Sequence, residues 1–526
     1  LPNLTMNGSV GYDYAKRYGA KADYSAVRIP DVAGETPYAT SSNRSLSGFW
    51  QIDNEDFFKL PWISSLKFTA TGNEFKVAKL SSEQIGASQI VQTLYNNTAY
   101  RISTFNLAEQ RGQINRSLSG QIDAQFYKRL INLRIGYTRN STGQRDQWNA
   151  RLAYNIAESP FFNVPFISSL YTDVTFQDIN PFQALAISMN ASSLADGGNF
   201  NIPANSSLGL LPAYTKNKEA HVFLGLNKDR YSIDLRYYLR VTGGLALGNY
   251  PTDPSTGLQS QILRSERVNK GWEIALRAAI FNGDDFSWNV TLNAAYNINQ
   301  ALNVPKVNYS ATTGYLIAAR NGYATDNLWS YNWAGLDEQG DPQIYTSNME
   351  KTKVPDELAL IYSGRTRAPY SGALIQEWRY RNFFVAPRIM FYFGHVMRNY
   401  VPALGPSPDN NIQIRDRWRK PGDEAFTDIA RISFDDYSRR FIIQNSSNSI
   451  LPADYVRLRE IQVGYDVPAS FLKGKFIKSL TVSMQMENVA LWTKNDLNID
   501  PETISPTGRV RLSRPKNYIL SLRMSF

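Results

Sequence analysis

Residues 221–241 alternate apolar and polar side chains through a tight turn, and this pattern, repeated along most of the chain, most restricts the fold. Val222, Leu224 and Leu226 lead into Asn227-Lys228-Asp229-Arg230, and the chain returns with Tyr231, Ile233, Leu235, Tyr237 and Leu239 on one face. Ser232, Asp234, Arg236, Tyr238 and Arg240 occupy the other. A period of two belongs to a strand, so this is a hairpin with one apolar and one charged face. A second hairpin turns at Asn282-Gly283-Asp284-Asp285, between Trp272–Ile280 and Trp288–Tyr296. A third pairs 455–466 with 478–490, where Leu480, Val482, Met484 and Met486 alternate with Thr481, Ser483, Gln485 and Glu487.

Seventeen segments read this way: 4–16, 43–53, 64–77, 92–104, 114–126, 130–140, 148–157, 168–177, 218–227, 229–241, 268–281, 285–298, 371–380, 382–396, 453–466, 478–490 and 515–526. Many reach the ~9–11 residues that cross a bilayer at a tilt, whereas strands of a soluble sandwich run to ~5–6. Between them lie polar stretches rich in Asn, Ser, Gly and Pro, at 178–217, 242–267, 299–370 and 397–452. Short turns at one end and long loops at the other are the asymmetry of a transmembrane barrel. The charged face, with Asp234, Arg236 and Arg240, suits a watery lumen. The expected fold is all-β, a transmembrane antiparallel β-barrel, with 1–526 as a single barrel domain. No amphipathic helix of useful length competes, and no apolar run approaches the ~18–20 residues of a membrane helix.

Composition narrows the chemistry. The chain has 0 Cys and 2 His, which removes thiolate catalysis, disulfides and Cys-ligated metals. His221 and His395 lie far apart, each at a strand end, and read as structural. The net charge of +10 comes from scattered basic residues and does not point to nucleic acid. Asp284-Asp285 and Asp435-Asp436 are adjacent in sequence, and neighbours on an extended chain face opposite ways. Asp337, Glu338 and Asp341 around Gly340 hint at a calcium loop but lack its regular spacing and closing Glu, so a solvated turn is the expectation. No catalytic residue, metal site, cofactor or enzymatic activity is expected.

Two further features bear on the membrane. Phe57-Phe58-Lys59-Leu60-Pro61-Trp62-Ile63-Ser64-Ser65-Leu66 matches Phe161-Phe162-Asn163-Val164-Pro165-Phe166-Ile167-Ser168-Ser169-Leu170, with a looser copy at 471–480. Each lies between strands and reads as a turn whose aromatics sit at headgroup level. The last strand alternates Tyr518, Leu520, Leu522, Met524 and Phe526 with Ser521, Arg523 and Ser525. It resembles the C-terminal signal by which bacterial outer-membrane barrels are recognised for assembly.

Four stretches, in order, resemble SusC/RagA-type TonB-dependent transporters of Bacteroidota. Asn269-Lys270-Gly271-Trp272-Glu273-Ile274 resembles the family's "N-K-G-x-E" strand, and 327–345 its "Y-x-W-x-G-x-D-x-x-G-D-P" loop. Residues 417–432 resemble the "R-W-x-x-P-G-D" loop, and 453–472 the closing "D-Y-x-R-L-R" hairpin. The resemblance covers 265–526 well, and 1–264 agree in style only. It implies an outer-membrane location and a barrel of about 22 strands with a plugged lumen. It also implies a SusD-like lipoprotein lid, TonB as energy source, contact with lipid and lipopolysaccharide, a paired SusCD-type complex, and uptake of oligosaccharides or peptides. Nothing here resembles the plug, the N-terminal extension or the TonB box, and seventeen strands fall short of 22. The chain is therefore expected to be the C-terminal part of a longer protein, a divergent member without a gate being the alternative. A scaffold role in a larger outer-membrane assembly stands as the second functional reading.

The densest cluster of charge and aromatic character is Arg415–Asp423. Arg417, Trp418, Arg419 and Asp423 are candidate contacts with the lid, against the simpler reading that the loop folds onto its neighbours through Arg–Asp pairs. Arg236, Tyr238, Arg240, Arg457 and Arg459 are candidate lumen-lining residues, positioned either to line the solute path or to hydrogen-bond a plug.

Overall fold

The structure is a computed structural model. It describes residues 4–30, 38–76, 89–95, 98–105, 114–140, 146–179, 188–193, 199–201, 214–245, 265–304, 319–355, 357–399, 412–433, 437–473, 476–505, 508 and 511–525.

Seventeen strands form one antiparallel sheet in which each strand pairs with the next in the chain. They are β1 (Leu4–Tyr14), β2 (Tyr18–Pro30), β3 (Tyr38–Gln51), β4 (Ile63–Lys76), β5 (Ile114–Phe126) and β6 (Ile131–Asn140). Then come β7 (Gln147–Asn155), β8 (Ile167–Ile179), β9 (Tyr214–Leu226), β10 (Tyr231–Leu245), β11 (Ser265–Asn282) and β12 (Phe286–Leu302). The last five are β13 (Tyr370–Tyr380), β14 (Phe383–Phe393), β15 (Tyr455–Asp466), β16 (Ser479–Thr493) and β17 (Asn517–Ser525). Among the described residues, β1 and β17 are the edges, each paired on one side only. Short turns join the strands at one end of the sheet and long connections at the other.

The register shows which face is which. Val222 stands opposite Leu235, Leu235 opposite Ile274, and Ile274 opposite Ala294, one apolar row across four strands. That row faces outward: Val222, Ile233, Trp272 and, further round, Val174 are all exposed. An apolar sheet face without a protein layer over it is stable only against hydrocarbon.

Two sequence expectations need correction. The segment 92–104 is not a wall strand. It divides into Gln89–Tyr95 and Thr98–Phe105, which pair with Ser188–Ser193 and Asn199–Asn201 in a separate four-stranded sheet. Alternation identifies a strand but not the sheet it joins. Conversely β2 was not foreseen, because its outward positions Ala20, Ala22 and Ala26 are too small to make the alternation visible. The two differences offset each other in the strand count.

Within the long stretches 299–370 and 397–452, the described residues 319–355, 357–370, 412–433 and 437–452 are more ordered than loops. They fold together into a cap at the long-loop end, carrying short strands at Asn327–Tyr331, Trp333–Leu336, Pro342–Tyr345 and Leu360–Arg365. The cap includes a nine-residue helix, α1 (Tyr437–Asn445), that the sequence pattern did not announce. Its core joins Trp329, Tyr331, Ile344, Leu360 and Ile442, flanked by a second cluster of Leu336, Ala430 and Ile443. Tyr331, Ile344 and Ile442 are each 0% exposed.

Candidate functional site

Three groups of polar residues stand out: on the inner wall, at its mouth and in the cap. The first is the inner wall. Asp234, Arg236, Tyr238 and Arg240 share the face of β10 opposite its apolar row, as the alternation requires. Arg236 Nε donates to Asp234 Oδ1 at 3.3 Å. Arg240 is exposed and stands between Asn217 of β9 and Asn269 of β11. The end of the Tyr238 ring and the Tyr296 carbonyl both crowd Gly271 of the Asn269–Ile274 motif, where any Cβ would come within 2.7 Å of the Tyr238 hydroxyl. That glycine is required by packing rather than by its dihedral angles.

His221, read from sequence as unremarkable, is placed by the register between two carboxylates. Its Nδ1 lies 3.0 Å from Asp173 Oδ1 and its Nε2 3.1 Å from Asp234 Oδ1. The first contact has hydrogen-bond geometry, while the second is close without being aligned. Arg151 closes the row with a 3.1 Å bond to Asp173. Pairing of these strands, not sequence proximity, brings the four side chains together.

The second group is at the mouth of the wall. Tyr455, Arg457 and Arg459 follow one another on β15, and all three grip a loop of the same chain. Arg457 Nη2 bonds Asp500 Oδ1 at 2.5 Å and its Nε lies 3.5 Å from Glu502 Oε1. Tyr455 donates to Glu502 at 3.0 Å, and Arg459 Nη1 reaches Glu502 Oε2 at 3.3 Å and Asn488 Oδ1 at 3.2 Å. The loop is itself braced by Asn495, which accepts from Ile499 N and donates to Ile499 O. Arg457, with a side chain only 6% exposed, anchors this loop. Neither of the two open readings, an arginine lining a path or one holding a plug, describes that contact.

The third group is in the cap. Trp418 packs against the core beside Leu336, Ala430 and Ile443, and its indole donates to Glu424 at 2.9 Å. Its ring covers Gly340, which has φ +78° and no space for a Cβ. Asp423 Oδ2 accepts from the backbone N–H of Arg419 and Lys420 at 3.0 and 3.1 Å. Arg419 Nη2 donates to Arg415 O, and Arg417 Nη1 to Ile414 O. Arg417, Arg419 and Asp423 thus shape their own loop and Trp418 joins it to the cap core, with Asp423 accepting from backbone amides rather than from the arginine side chains.

Asp337 and Asp341 are neutralised by cations of the chain itself. Lys353 Nζ lies 2.5 Å from Asp337 and 3.2 Å from Asp341, while Arg431 and Arg439 each place Nε 3.0 Å from Asp341 Oδ1. Burial works against charge on both carboxyls, but Lys353 at Asp337, and Arg431 with Lys353 at Asp341, outweigh it and hold them below the usual range. Among the described residues no group of His, Asp and Glu could hold a metal ion.

Arg398 is the cap's central buried cation. It donates to Gln444 O, Ser449 Oγ, Trp329 O and Ser330 Oγ at 2.9–3.2 Å, tying the end of α1 to the Asn327–Tyr331 strand. Burial lowers its pKa to about 10. The carbonyl of Gln444, in the last turn of α1, is a favourable place for a cation.

At the short-turn end, the repeated element behaves alike in both copies. Phe57, Trp62, Phe161 and Phe166 are exposed. Ser64 accepts from Lys128 N at 2.5 Å and Ser168 from Asp229 N at 2.8 Å. Each copy therefore braces the tight turn of a neighbouring hairpin. Of the C-terminal assembly signal, Tyr518, Leu520, Leu522 and Met524 are exposed on β17, and Phe526 lies outside the described residues.

No protein-family model matches the chain. It is 22% identical over 573 aligned residues to TonB-dependent receptor P39 of Formosa agariphila, an alignment covering 94% of this chain and 53% of that protein. TonB-dependent receptor P3 of the same organism is 22% identical over 384 residues, covering 68% of this chain and 36% of the relative. The chain thus spans about half, or less, of the curated relatives it matches. Among solved structures, the RagAB peptide transporter superposes with a TM-score of 0.74 at 13% identity, covering all of this chain and 62% of that one. The RagAB peptide importer in its closed-closed state gives 0.73 at 14% identity, again over all of this chain and 62% of the other.

Proposed function

We propose that the chain belongs to a SusC/RagA-type TonB-dependent receptor of the outer membrane of a Gram-negative bacterium, and that it forms the wall and cap of a nutrient importer. In this reading TonB supplies the energy, a SusD-like lipoprotein covers the cap, and the cargo is an oligosaccharide or a peptide. The observation that carries it is the contrast between a charged, water-facing inner wall and a folded cap at the long-loop end. A wall that only sealed the membrane would have no use for carboxylates and guanidinium groups along its inside. The RagAB structures, named for a peptide transporter, support the same reading.

The test is uptake by cells that carry or lack the gene, with and without a protonophore, together with purification of the receptor from native membranes. Energy-dependent uptake that disappears with the gene, and a lipoprotein that co-purifies, are the expected results. Unchanged uptake in the deletion strain would contradict the proposal.

A further inference from the structure

The inner wall between β10 and β14 holds a cavity of about 420 Å³. Its shape follows from two register rows. One runs Arg236, Glu273, Ala295, Ser371, Tyr392, and the next Asp234, Ala275, Asn293, Ala373, Met390. Short side chains in the middle of both rows leave the space, and longer ones at either side wall it. Glu273 and Arg277 reach it from the same face of β11.

Among the charged residues lining the cavity, these two stand out by their lack of partners. Several other inward charges of the wall are matched: Arg134 with Asp123, Arg151 and His221 with Asp173, Arg388 with Glu460, Arg457 with Asp500. Arg236 stands opposite Glu273 in the register but bonds Asp234 instead. Among the described residues, neither Glu273 nor Arg277 has an ion-pair or hydrogen-bond partner, and both are exposed. A carboxylate and a guanidinium four residues apart on one strand are separated by roughly 13 Å of backbone.

We propose that this cavity is a subsite on the solute path for a molecule carrying a cationic group at one end and an anionic group at the other. Glu273 takes the cation and Arg277 the anion, the latter with the bidentate geometry that suits guanidinium to carboxylate. A neutral solute gains nothing from either residue. This deepens the importer reading and rests on it, since it selects the class of cargo.

The test uses the full-length receptor purified from native membranes, with three probes: tetra-alanine with free ends, the same peptide acetylated and amidated, and a neutral tetrasaccharide. Affinities are measured by calorimetry for wild type, Glu273→Gln, Arg277→Gln and the exchanged pair Glu273→Arg/Arg277→Glu. Free tetra-alanine is expected to bind wild type and to weaken about five- to tenfold in each single variant. The exchanged pair is expected to recover most of the loss, with the peptide reversed. Binding of the capped peptide and the tetrasaccharide is expected to ignore all three changes. Equal binding of capped and free peptide overturns the proposal, as does a wild type that binds no probe. Variants that lower the thermal midpoint while leaving every affinity unchanged also overturn it, because the charges would then be holding the receptor's own chain. If wild-type uptake persists and the variants alter no affinity, the importer reading stands and the subsite falls.

Discussion

The wall and the cap use the same apolar residues in opposite ways. In the wall, Val174 is 58% and Leu118 64% exposed, while in the cap Ile344 and Ile442 are fully buried. The wall has no dry core. Its outer face takes hydrocarbon as solvent, and its strands are held by ladder hydrogen bonds and by charges paired across neighbours on the inside. The cap is built like a small soluble protein, with a packed core and a buried cation at its centre. Damage to one region should therefore leave the other standing, and each expected outcome below can break that separation.

Arg398→Met carries the largest expected effect. It leaves two carbonyls and two hydroxyls buried without their donor, a loss of about 3–5 kcal/mol from the cap. Hydrogen exchange across 327–365 and 437–449 should rise steeply while the heat-modifiable barrel band on gels stays unchanged. A barrel that melts together with the cap would show that the two are one cooperative unit.

Val174→Arg places a charge on the lipid face and is expected to cost about 2–4 kcal/mol if the site lies near the bilayer midplane. Thr175→Arg, one residue on and facing inward beside Asp173, should cost less than about 0.5 kcal/mol. Refolding titrations into lipid vesicles measure both. Equal costs would contradict the assignment of faces.

Gly340→Ala should destabilise the cap by about 1–3 kcal/mol, because the position combines a positive φ with the Trp418 ring above it. Quenching of Trp418 fluorescence, read in a variant that keeps only this tryptophan in the cap, reports the displacement. An unchanged spectrum would argue against the close approach.

The smallest effect is on pH dependence at the junction of wall and cap. Burial holds the His395 imidazole below its ordinary pKa of 6.5, against the pull of Asp454. The unfolded segment therefore binds the proton more readily, so stability here is intact above about pH 6.5 and declines as the pH falls from there. Asp454 accepts from Gly394 N, Lys494 lies 3.5 Å from it, and the Tyr455 ring packs 6.2 Å from the imidazole. Protection factors at Gly394 and Ala453, that is, exchange corrected for its base-catalysed intrinsic rate, should fall as the pH is lowered from 7.5 to 5.5, and His395→Gln should flatten that response. Protection that rises in acid would reverse the sign.

How much of this was legible in sequence also divides along the wall and the cap. Val222–Leu226 and Tyr231–Leu239 announce their hairpin because the period of a strand is local. β2 hides behind alanines, and 92–104, the weakest of the alternating segments, reads as a strand although it belongs to another sheet. The cap could not be read this way. Tyr331 and Ile442 meet across more than a hundred residues of chain, and neither segment has a periodicity that points to the other. The motifs were visible as letters, but their roles were not: Gly340 makes room for Trp418, and Asp341 gathers Arg431, Arg439 and Lys353. His221 gained its meaning only from the register that sets Asp173 and Asp234 beside it.

One face of each wall strand meets lipid and the other meets water. The chain contains no Cys, so single cysteines can be placed one at a time along β10 from Tyr231 to Arg240 without background. Each is spin-labelled in the full-length receptor reconstituted in bilayers, and its collision rates with oxygen and with a water-soluble nickel chelate are compared. A strict two-residue alternation is expected, with oxygen dominating at 231, 233, 235, 237 and 239 and nickel at the positions between. A profile without that period, or one with the two reagents exchanged, would contradict it.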